Sequence, residues 1–127
     1  MNKRENPILV VLDFIECINT GDSKRLVDLQ TKDFTLIDID GNRFVGKDDW
    51  KSYFTENPDY RIHIHNILLS GDSVAIIGKT TGSHVDSQTE ILETVLWIAD
   101  VRNGQVSFWR IYSDINEILS KFQKPSK

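Results

Sequence analysis

The sequence lacks the features that mark several classes of protein. Cys17 is the single cysteine, so an intrachain disulfide is excluded and a reducing, cytoplasmic compartment is expected. The apolar run in MNKRENPILVVLDF is broken at Asp13 and no small-residue cleavage site follows, so we expect no secretory signal. No apolar run approaches the roughly 20 residues that cross a bilayer. We therefore expect no membrane partner.

Positive charge is also scarce. The 15 basic residues face 19 acidic ones, and no Lys/Arg cluster is interleaved with aromatic side chains. This balance gives no reason to expect a nucleic-acid partner. The 127 residues are enough for one domain with a single core, and we expect residues 1–6 and 122–127 to fray at its ends.

Hydrophobic periodicity and turn residues divide the chain into helices followed by strands. Three helices are predicted over residues 7–20, 24–30 and 47–57, and a terminal helical turn over 115–122. Strands are predicted over residues 33–39, 42–46, 60–70, 73–83, 89–101 and 106–114. Asn6-Pro7 is typical of a helix start, and Asn103-Gly104 is a strong hairpin signal.

Helices first and long hairpin-connected strands later predict an α+β fold with one antiparallel sheet. A sheet of this length must twist and curl. About three helices packed across its concave face would leave a pocket between helix and sheet.

Three segments carry a resemblance to a known family. FIECINTGDSKRLVDL, FTLIDIDGNRFVGKDDWKSYF and NGQVSFWRIYSD resemble the SnoaL-like polyketide cyclases, which belong to the superfamily of ketosteroid isomerase and nuclear transport factor 2. The resemblance spans Pro7 to Asp114. It implies a cone-shaped α+β fold, one domain over residues 1–127 and a homodimer formed through the convex sheet face. The superfamily contains isomerases, cyclases, dehydratases, epoxide hydrolases and non-catalytic modules, so the function must be argued from the site.

The isomerase pattern of the superfamily fits only in part. Its general base lies at the end of the first strand, where this chain has Asp38. Its oxyanion tyrosine in the first helix corresponds to Phe14, and its second oxyanion acid corresponds to Trp97 or Ile98. Without these two donors, steroid isomerisation is disfavoured.

Other members of the superfamily imply another acid. The SnoaL-like cyclases place an acid/base aspartate at the end of the last strand, where Asp114 stands. The epoxide hydrolases place their catalytic aspartate two residues after the tryptophan of a Trp-Arg pair, where this chain has Ile111. Epoxide hydrolysis is therefore disfavoured too. The alternative reading of Asp114 is an ion pair with Arg110 that ends the strand, worth little energetically.

The acidic stretch LIDIDGN has two readings after a calcium loop is excluded. With Gly41 at the sixth position of such a loop, Leu36 and Lys47 would occupy ligand positions that require acids. Strand alternation places Asp38 on the face of Phe34 and Leu36, where burial would make it a proton acceptor. Alternatively, Asp38 only accepts backbone N–H bonds at the end of the hairpin.

His63 and His65 project from one face of their predicted strand. The apolar Ile62 and Ile64 between them favour a convex, solvent- or dimer-facing position for both imidazoles, although a role as proton shuttle in the pocket stays open. Metal binding would need further ligands, and nothing in the sequence spacing supplies them. We predict neither a metal nor a cofactor.

The aromatic residues are the predicted pocket wall. Ligand contacts are predicted for Phe14, Trp50, Phe54, Trp97, Trp109 and Tyr112. Glu93 shares a strand face with Trp97 and is either a pocket acid or a residue on the dimer side.

Two functional hypotheses follow. In the first, an apolar pocket binds a small hydrophobic, carbonyl-bearing molecule and performs cofactor-free isomerisation, cyclisation or dehydration. Asp38 or Asp114 would move the proton, with Tyr53 or His63 as electrophilic partner. In the second, the protein is a non-catalytic binding or dimerisation module whose pocket is filled by its own side chains. An open cavity that contains Asp38 favours the first.

Overall fold

The computed structural model describes residues 6–46 and 50–115, which form four helices and six strands. The elements are α1 Pro7–Thr20, α2 Ser23–Asp28, β1 Gln30–Ile37, β2 Arg43–Val45, α3 Trp50–Glu56, β3 Arg61–Ser70, β4 Ser73–Thr81, α4 Ser87–Leu92, β5 Val95–Arg102 and β6 Gln105–Ser113. No helix in these ranges is long and apolar enough to cross a membrane. The predicted frayed ends and terminal helical turn fall almost wholly outside the described residues.

The two N-terminal helices begin at side-chain caps. Asn6 accepts a hydrogen bond from the backbone N–H of Ile8 at 3.0 Å, and Pro7 occupies the first helical position. Asp22 caps α2 by accepting from the N–H of Arg25 at 3.1 Å. Such caps satisfy N–H groups that lack an intrahelical partner. The predicted start of α1 is confirmed, and α2 begins one residue before the predicted residue 24.

The strands form a single curved sheet in the order β2-β1-β6-β5-β4-β3. Every neighbouring pair is antiparallel except β1 and β6, which run parallel. The α+β prediction is confirmed, with this one parallel pairing as a difference. The β5–β6 connection is the predicted hairpin: Asn103 and Gly104 both have positive φ, at 55° and 77°, as a type I′ turn requires.

Residues 89–92 of the segment TEILE were predicted as strand and are helical instead. Asp86 starts α4 by accepting from the N–H of Thr89 at 3.0 Å, and β5 begins only at Val95. The apolar residues Ile91 and Leu92 are 71% and 73% exposed. The prediction was wrong because these adjacent apolar residues belong to an exposed helical turn, not to a buried strand.

The core lies between α1 and one face of the sheet. Phe14 and Ile18 of α1 are buried with Val74, Ile76 and Trp97 of the strands. Side chains on the opposite, convex face are only half-buried, among them Ala75, Ile77, Leu96, Ile98 and Phe108. The helix-covered face therefore holds the core, and the other face stays partly open.

Cys17 is part of this core. It is buried in α1, and burial raises the pKa of its thiol. A thiol in such a place stays protonated and acts as a small apolar side chain.

Candidate functional site

A cavity of about 290 Å³ opens between the sheet, α3, the β1–β2 hairpin and the loop that leads to α4. Its walls are mainly apolar. They include seven aromatic residues, Phe34, Phe44, Trp50, Tyr53, Tyr60, Trp97 and Trp109, and three acids, Asp38, Asp40 and Glu93. Of the predicted site residues, it brings Asp38, Tyr53, Trp50, Trp97 and Trp109 together.

Phe14 supports the wall from below without forming part of it. Its ring is fully buried, and its centroid lies 4.8 Å from Trp109, 5.9 Å from Trp50 and 6.1 Å from Phe34. Phe54 stacks on Trp50 at 5.8 Å and also stands outside the lining. Both residues hold cavity tryptophans in place, so their effect on a ligand would be indirect.

Asp38 lines the cavity on the same side as Phe34 and Leu36, which is the face that alternation predicted. Its carboxylate is nevertheless used by its own turn. Oδ1 accepts from the backbone N–H groups of Asp40 at 3.0 Å and Asn42 at 2.9 Å, and Oδ2 accepts from Asn42 Nδ2 at 3.3 Å. Asp38 is therefore at the cavity, and its oxygens stabilise the hairpin.

Glu93 is the acid most enclosed by the cavity wall. It is 3% exposed, and its Oε2 accepts a 2.5 Å hydrogen bond from the Ser113 hydroxyl. The backbone carbonyl of Glu93 accepts from Lys79 Nζ at 2.8 Å, which holds the start of β5. The sequence left its position undecided, and the structure places Glu93 in the cavity wall.

Glu90 stabilises the loop beside the cavity. This α4 residue is 6% exposed, and its Oε2 accepts from Thr80 Oγ1 at 2.9 Å and from the N–H of Ser83 at 3.0 Å. Within the described ranges, no Lys or Arg forms an ion pair with Glu90 or Glu93. Neutral donors alone hold these two buried carboxylates.

Two tyrosines meet at the same side of the cavity, with ring centroids 5.1 Å apart. Tyr53 shares a 2.9 Å hydrogen bond with His84 Nδ1, and its oxygen also accepts from the N–H of His84 at 3.3 Å. Tyr60 is 9% exposed, and its hydroxyl makes no hydrogen bond with any other described residue. Burial raises the pKa of both phenols, and that of Tyr60 far above its usual range.

Sequence reasoning missed Tyr60. The available signal was its position two residues before Ile62, on the buried face of β3. Nothing in the sequence showed that β3 and β5 would flank β4, which brings Tyr60 and Glu93 to the same cavity.

The remaining predicted residues lie outside the cavity lining. His63 is exposed and its Nε2 lies 2.9 Å from Thr81 Oγ1. Asp114 joins the ends of β5 and β6: Oδ1 accepts from the N–H of Thr94 at 3.0 Å, and its own N–H donates to the Thr94 carbonyl. The Arg110 guanidinium stands over the Tyr112 ring at 4.6 Å.

No cluster of three or more metal-ligating side chains occurs in the part of the chain that the structure describes.

The fold and this helix-backed cavity can be compared with known proteins. The family model described as SnoaL-like domain matches residues 11–109. The chain belongs to the SnoaL-like domain family. No curated protein matches the sequence.

Solved structures share the fold of this SnoaL-like protein at low sequence identity. An NTF2-like protein from Cytophaga hutchinsonii is 14% identical with a TM-score of 0.72, covering 90% of this chain and 95% of its own. A candidate SnoaL-like polyketide cyclase from Shewanella putrefaciens is 13% identical with a TM-score of 0.73, covering 94% and 86%.

A third structure with the ketosteroid isomerase-like fold comes from Catenulispora acidiphila and contains trimethylamine. It is 14% identical with a TM-score of 0.67, and the match covers 91% of this chain and 93% of its own. At these identities the similarity establishes the fold.

Proposed function

We propose that this SnoaL-like protein binds a small, mostly apolar, carbonyl-bearing molecule and moves a proton on it without a cofactor. The observation that carries the proposal is the buried Glu93 carboxylate in the wall of an aromatic cavity. The volume of about 290 Å³ lies at the lower end of the range of small-molecule sites, which are mostly apolar with a few polar groups.

Glu93 is better suited to the proton transfer than the other acids. Both oxygens of Asp38 are engaged in the β1–β2 turn, and Asp114 is bonded to the backbone of Thr94. Glu93 Oε2 is held by Ser113, while Oε1 accepts no hydrogen bond from another described residue. A general base needs an oxygen within hydrogen-bond reach of the proton that it takes, and Oε1 can serve as that oxygen.

The reaction that fits this site begins at a carbon acid beside a carbonyl group. Glu93 takes the proton, the C–H electron pair forms a carbon–carbon double bond, and the carbonyl π pair moves onto oxygen. Return of the proton to a different carbon gives isomerisation. Attack of the enolate on a second carbonyl carbon gives aldol-type cyclisation, in which the π pair of that carbonyl moves onto its oxygen and the alkoxide takes the proton back from Glu93. Aromatic walls exclude water from the intermediate and strengthen the electrostatic interactions around it.

Hydrogen exchange tests this activity without knowledge of the natural substrate. The protein is incubated in D₂O with acetophenone, 2-acetylnaphthalene and 2-cyclohexenone, and loss of the proton signal beside the carbonyl is followed by NMR. We expect exchange that saturates with the concentration of at least one ketone. Absence of saturable binding by calorimetry to all three, together with exchange at the buffer rate, would contradict the proposal.

Ligand binding without chemistry is the second candidate function. It is favoured by the engagement of Asp38 in its turn and by Phe14, which offers no hydroxyl at the position of the isomerase tyrosine. The trimethylamine bound by the Catenulispora relative supports small-molecule binding as a use of the fold. Saturable binding of the ketones with no exchange above the buffer rate would select this function.

We also propose that the convex sheet face forms a homodimer. Ile77, Leu96, Ile98 and Phe108 leave this face apolar and half-buried. A second copy that covers the face would remove this apolar area from water.

A further inference from the structure

Tyr60 lines the same cavity as Glu93, and no described residue makes a hydrogen bond with its hydroxyl. We propose that Tyr60 is a catalytic residue, whose O–H donates the hydrogen bond that receives the carbonyl oxygen of the ligand and the negative charge that develops on it. This inference rests on the proposed function, since it assigns the second group of the same reaction.

Strand order places the two residues on opposite sides of β4. In the β3–β4 pair Ile62 lies opposite Thr80, and in the β4–β5 pair Gly78 lies opposite Val95. Tyr60 lies one residue before β3 and Glu93 two residues before β5, so both reach the cavity at the same end of the sheet, on either side of β4. Strands are about 4.8 Å apart, so the two backbones are separated by on the order of 10 Å, which leaves room for a ligand between the side chains.

The hydrogen bonds of the two cavity tyrosines distinguish them. Tyr53 is committed to His84 through its hydroxyl. Tyr60 is more than nine-tenths buried, lines the cavity, and has no hydrogen bond to its hydroxyl from any described residue. Its oxygen is therefore available in the cavity, where the carbonyl oxygen of a bound ligand can accept its hydrogen bond.

Tyr60 also stays in its donor form. Burial raises the pKa of its phenol, and the nearby Tyr53, Glu90 and Glu93 shift the pKa in the same direction. The O–H group is therefore present over the whole pH range in which the protein would work. A preorganised donor of this kind acts on the oxyanion more strongly than on the ground-state carbonyl, and so lowers the barrier.

The position of Tyr60 explains how the site can stabilise the charge on the carbonyl oxygen although α1 carries Phe14. No hydroxyl reaches the cavity from Phe14, which lies beneath Trp50 and Trp109. Tyr60 supplies a phenol from the start of β3 instead. In the proposed step, the C–H proton goes to Glu93 Oε1 and the charge on the carbonyl oxygen is held by Tyr60 Oη–H, which keeps its proton.

The test compares two tyrosine variants with two matched probes. 2-Acetylnaphthalene carries a carbonyl where the isosteric 2-isopropenylnaphthalene carries a CH₂ group. By calorimetry, we expect Tyr60→Phe to weaken the binding of the ketone about three- to tenfold, which corresponds to the loss of one net hydrogen bond. The affinity for the hydrocarbon should not change. Tyr112→Phe, outside the cavity lining, is the matched control and should leave the ratio of the two affinities as in the unsubstituted protein.

Kinetics and infrared spectroscopy supply readouts that a packing role would not move. Tyr60→Phe should lower the limiting rate of ketone exchange on the order of 100-fold, the usual effect of removing one oxyanion donor. In the unsubstituted protein, the band of carbonyl-¹³C-labelled 2-acetylnaphthalene should shift to lower frequency on binding, whether or not the variant folds.

The outcomes separate the two proposals. If both probes bind but the carbonyl band does not shift, the role of Tyr60 is overturned and the proposed function stands. The same conclusion follows if Tyr60→Phe lowers the affinities for ketone and hydrocarbon equally. Failure of both probes and all ketones to bind overturns the proposed function and this inference with it.

Discussion

The Ser113 hydroxyl at the end of β6 donates a 2.5 Å hydrogen bond to Oε2 of Glu93, which precedes β5. Both side chains are buried, and the β5–β6 pairing that contains Val95 and Ser113 fixes their separation. One carboxylate oxygen is thereby held, and in the proposed reaction the other takes the proton. Ser113 is a positioning residue in this arrangement.

Removing that hydroxyl should slow proton transfer without weakening binding. We expect Ser113→Ala to lower the limiting rate of ketone exchange about tenfold, the value of one hydrogen bond to a charged group, with little change in KM.

Ser107→Ala is the matched control for Ser113→Ala. It removes a hydroxyl from the same strand, where Ser107 donates to the carbonyl of Asp100 away from the cavity. Equal losses of rate in the two variants would show that Ser113 acts only through stability.

Asp38 should matter more for the hairpin than for the reaction. Asp38→Asn keeps a side-chain oxygen for the N–H groups of Asp40 and Asn42, so we expect exchange rates within about twofold of the unsubstituted protein. Asp38→Ala removes the acceptor and should lower the free energy of unfolding by about 1 kcal/mol in urea titrations. Loss of exchange in the folded Asp38→Asn variant would instead identify Asp38 as the base.

Tyr60 should make the folded protein sensitive to alkali. Its pKa is higher in the folded state than in the unfolded chain, where it is about 10. The folded state then retains a proton that the unfolded state loses, so this stabilisation is complete below about pH 10 and is lost as pH rises further.

The slope of stability against pH measures that proton. Above pH 10, the free energy of unfolding should fall with pH less steeply in Tyr60→Phe than in the unsubstituted protein. The two slopes should differ by about 1.4 kcal/mol per pH unit. Urea titrations at several pH values would check it, with Tyr112→Phe as the comparison variant. Identical slopes for Tyr60→Phe and the unsubstituted protein would contradict the burial of the phenol.

The proposed dimer can be separated from non-specific association by two matched substitutions. Ile98 lies half-buried on the convex face, between Ala75 and Arg110 in the sheet register. Ile98→Asp should convert a dimer to a monomer in sedimentation velocity at micromolar concentration, because a charge would be buried at the interface. Ile91→Asp, on exposed α4, should leave the dimer intact; a monomeric unsubstituted protein would refute the interface.

Local signals were enough to predict most of the fold. The Asn6-Pro7 start and the Asn103-Gly104 turn depend on backbone chemistry that a few adjacent residues determine. The parallel β1–β6 pairing was not predictable in this way, since it joins strands that are far apart in sequence. The helix at TEILE was missed because the cap at Asp86 lies outside the apolar stretch that suggested a strand.

The site was less predictable than the fold, because its residues converge across several strands. The face of Asp38 followed from simple alternation, but the bonds of its carboxylate depend on the turn geometry. Glu93 and Tyr60 meet the cavity through the registers of β3, β4 and β5, which the sequence does not specify. A register shift between Ile64 and Asn66 also limits what alternation says about His65.

The central claim is that Glu93 takes the proton from the ligand. The most direct test measures the rate at which the Glu93→Gln variant exchanges the protons beside the carbonyl group of a bound ketone for deuterium. Glutamine keeps the size and an oxygen that can accept from Ser113 but cannot take the proton, so binding of 2-acetylnaphthalene by calorimetry should be retained. We predict that its exchange rate falls at least about 100-fold, as expected for loss of a general base. Retained exchange in a folded, ketone-binding Glu93→Gln protein would contradict the assignment of Glu93 as the proton-transferring residue.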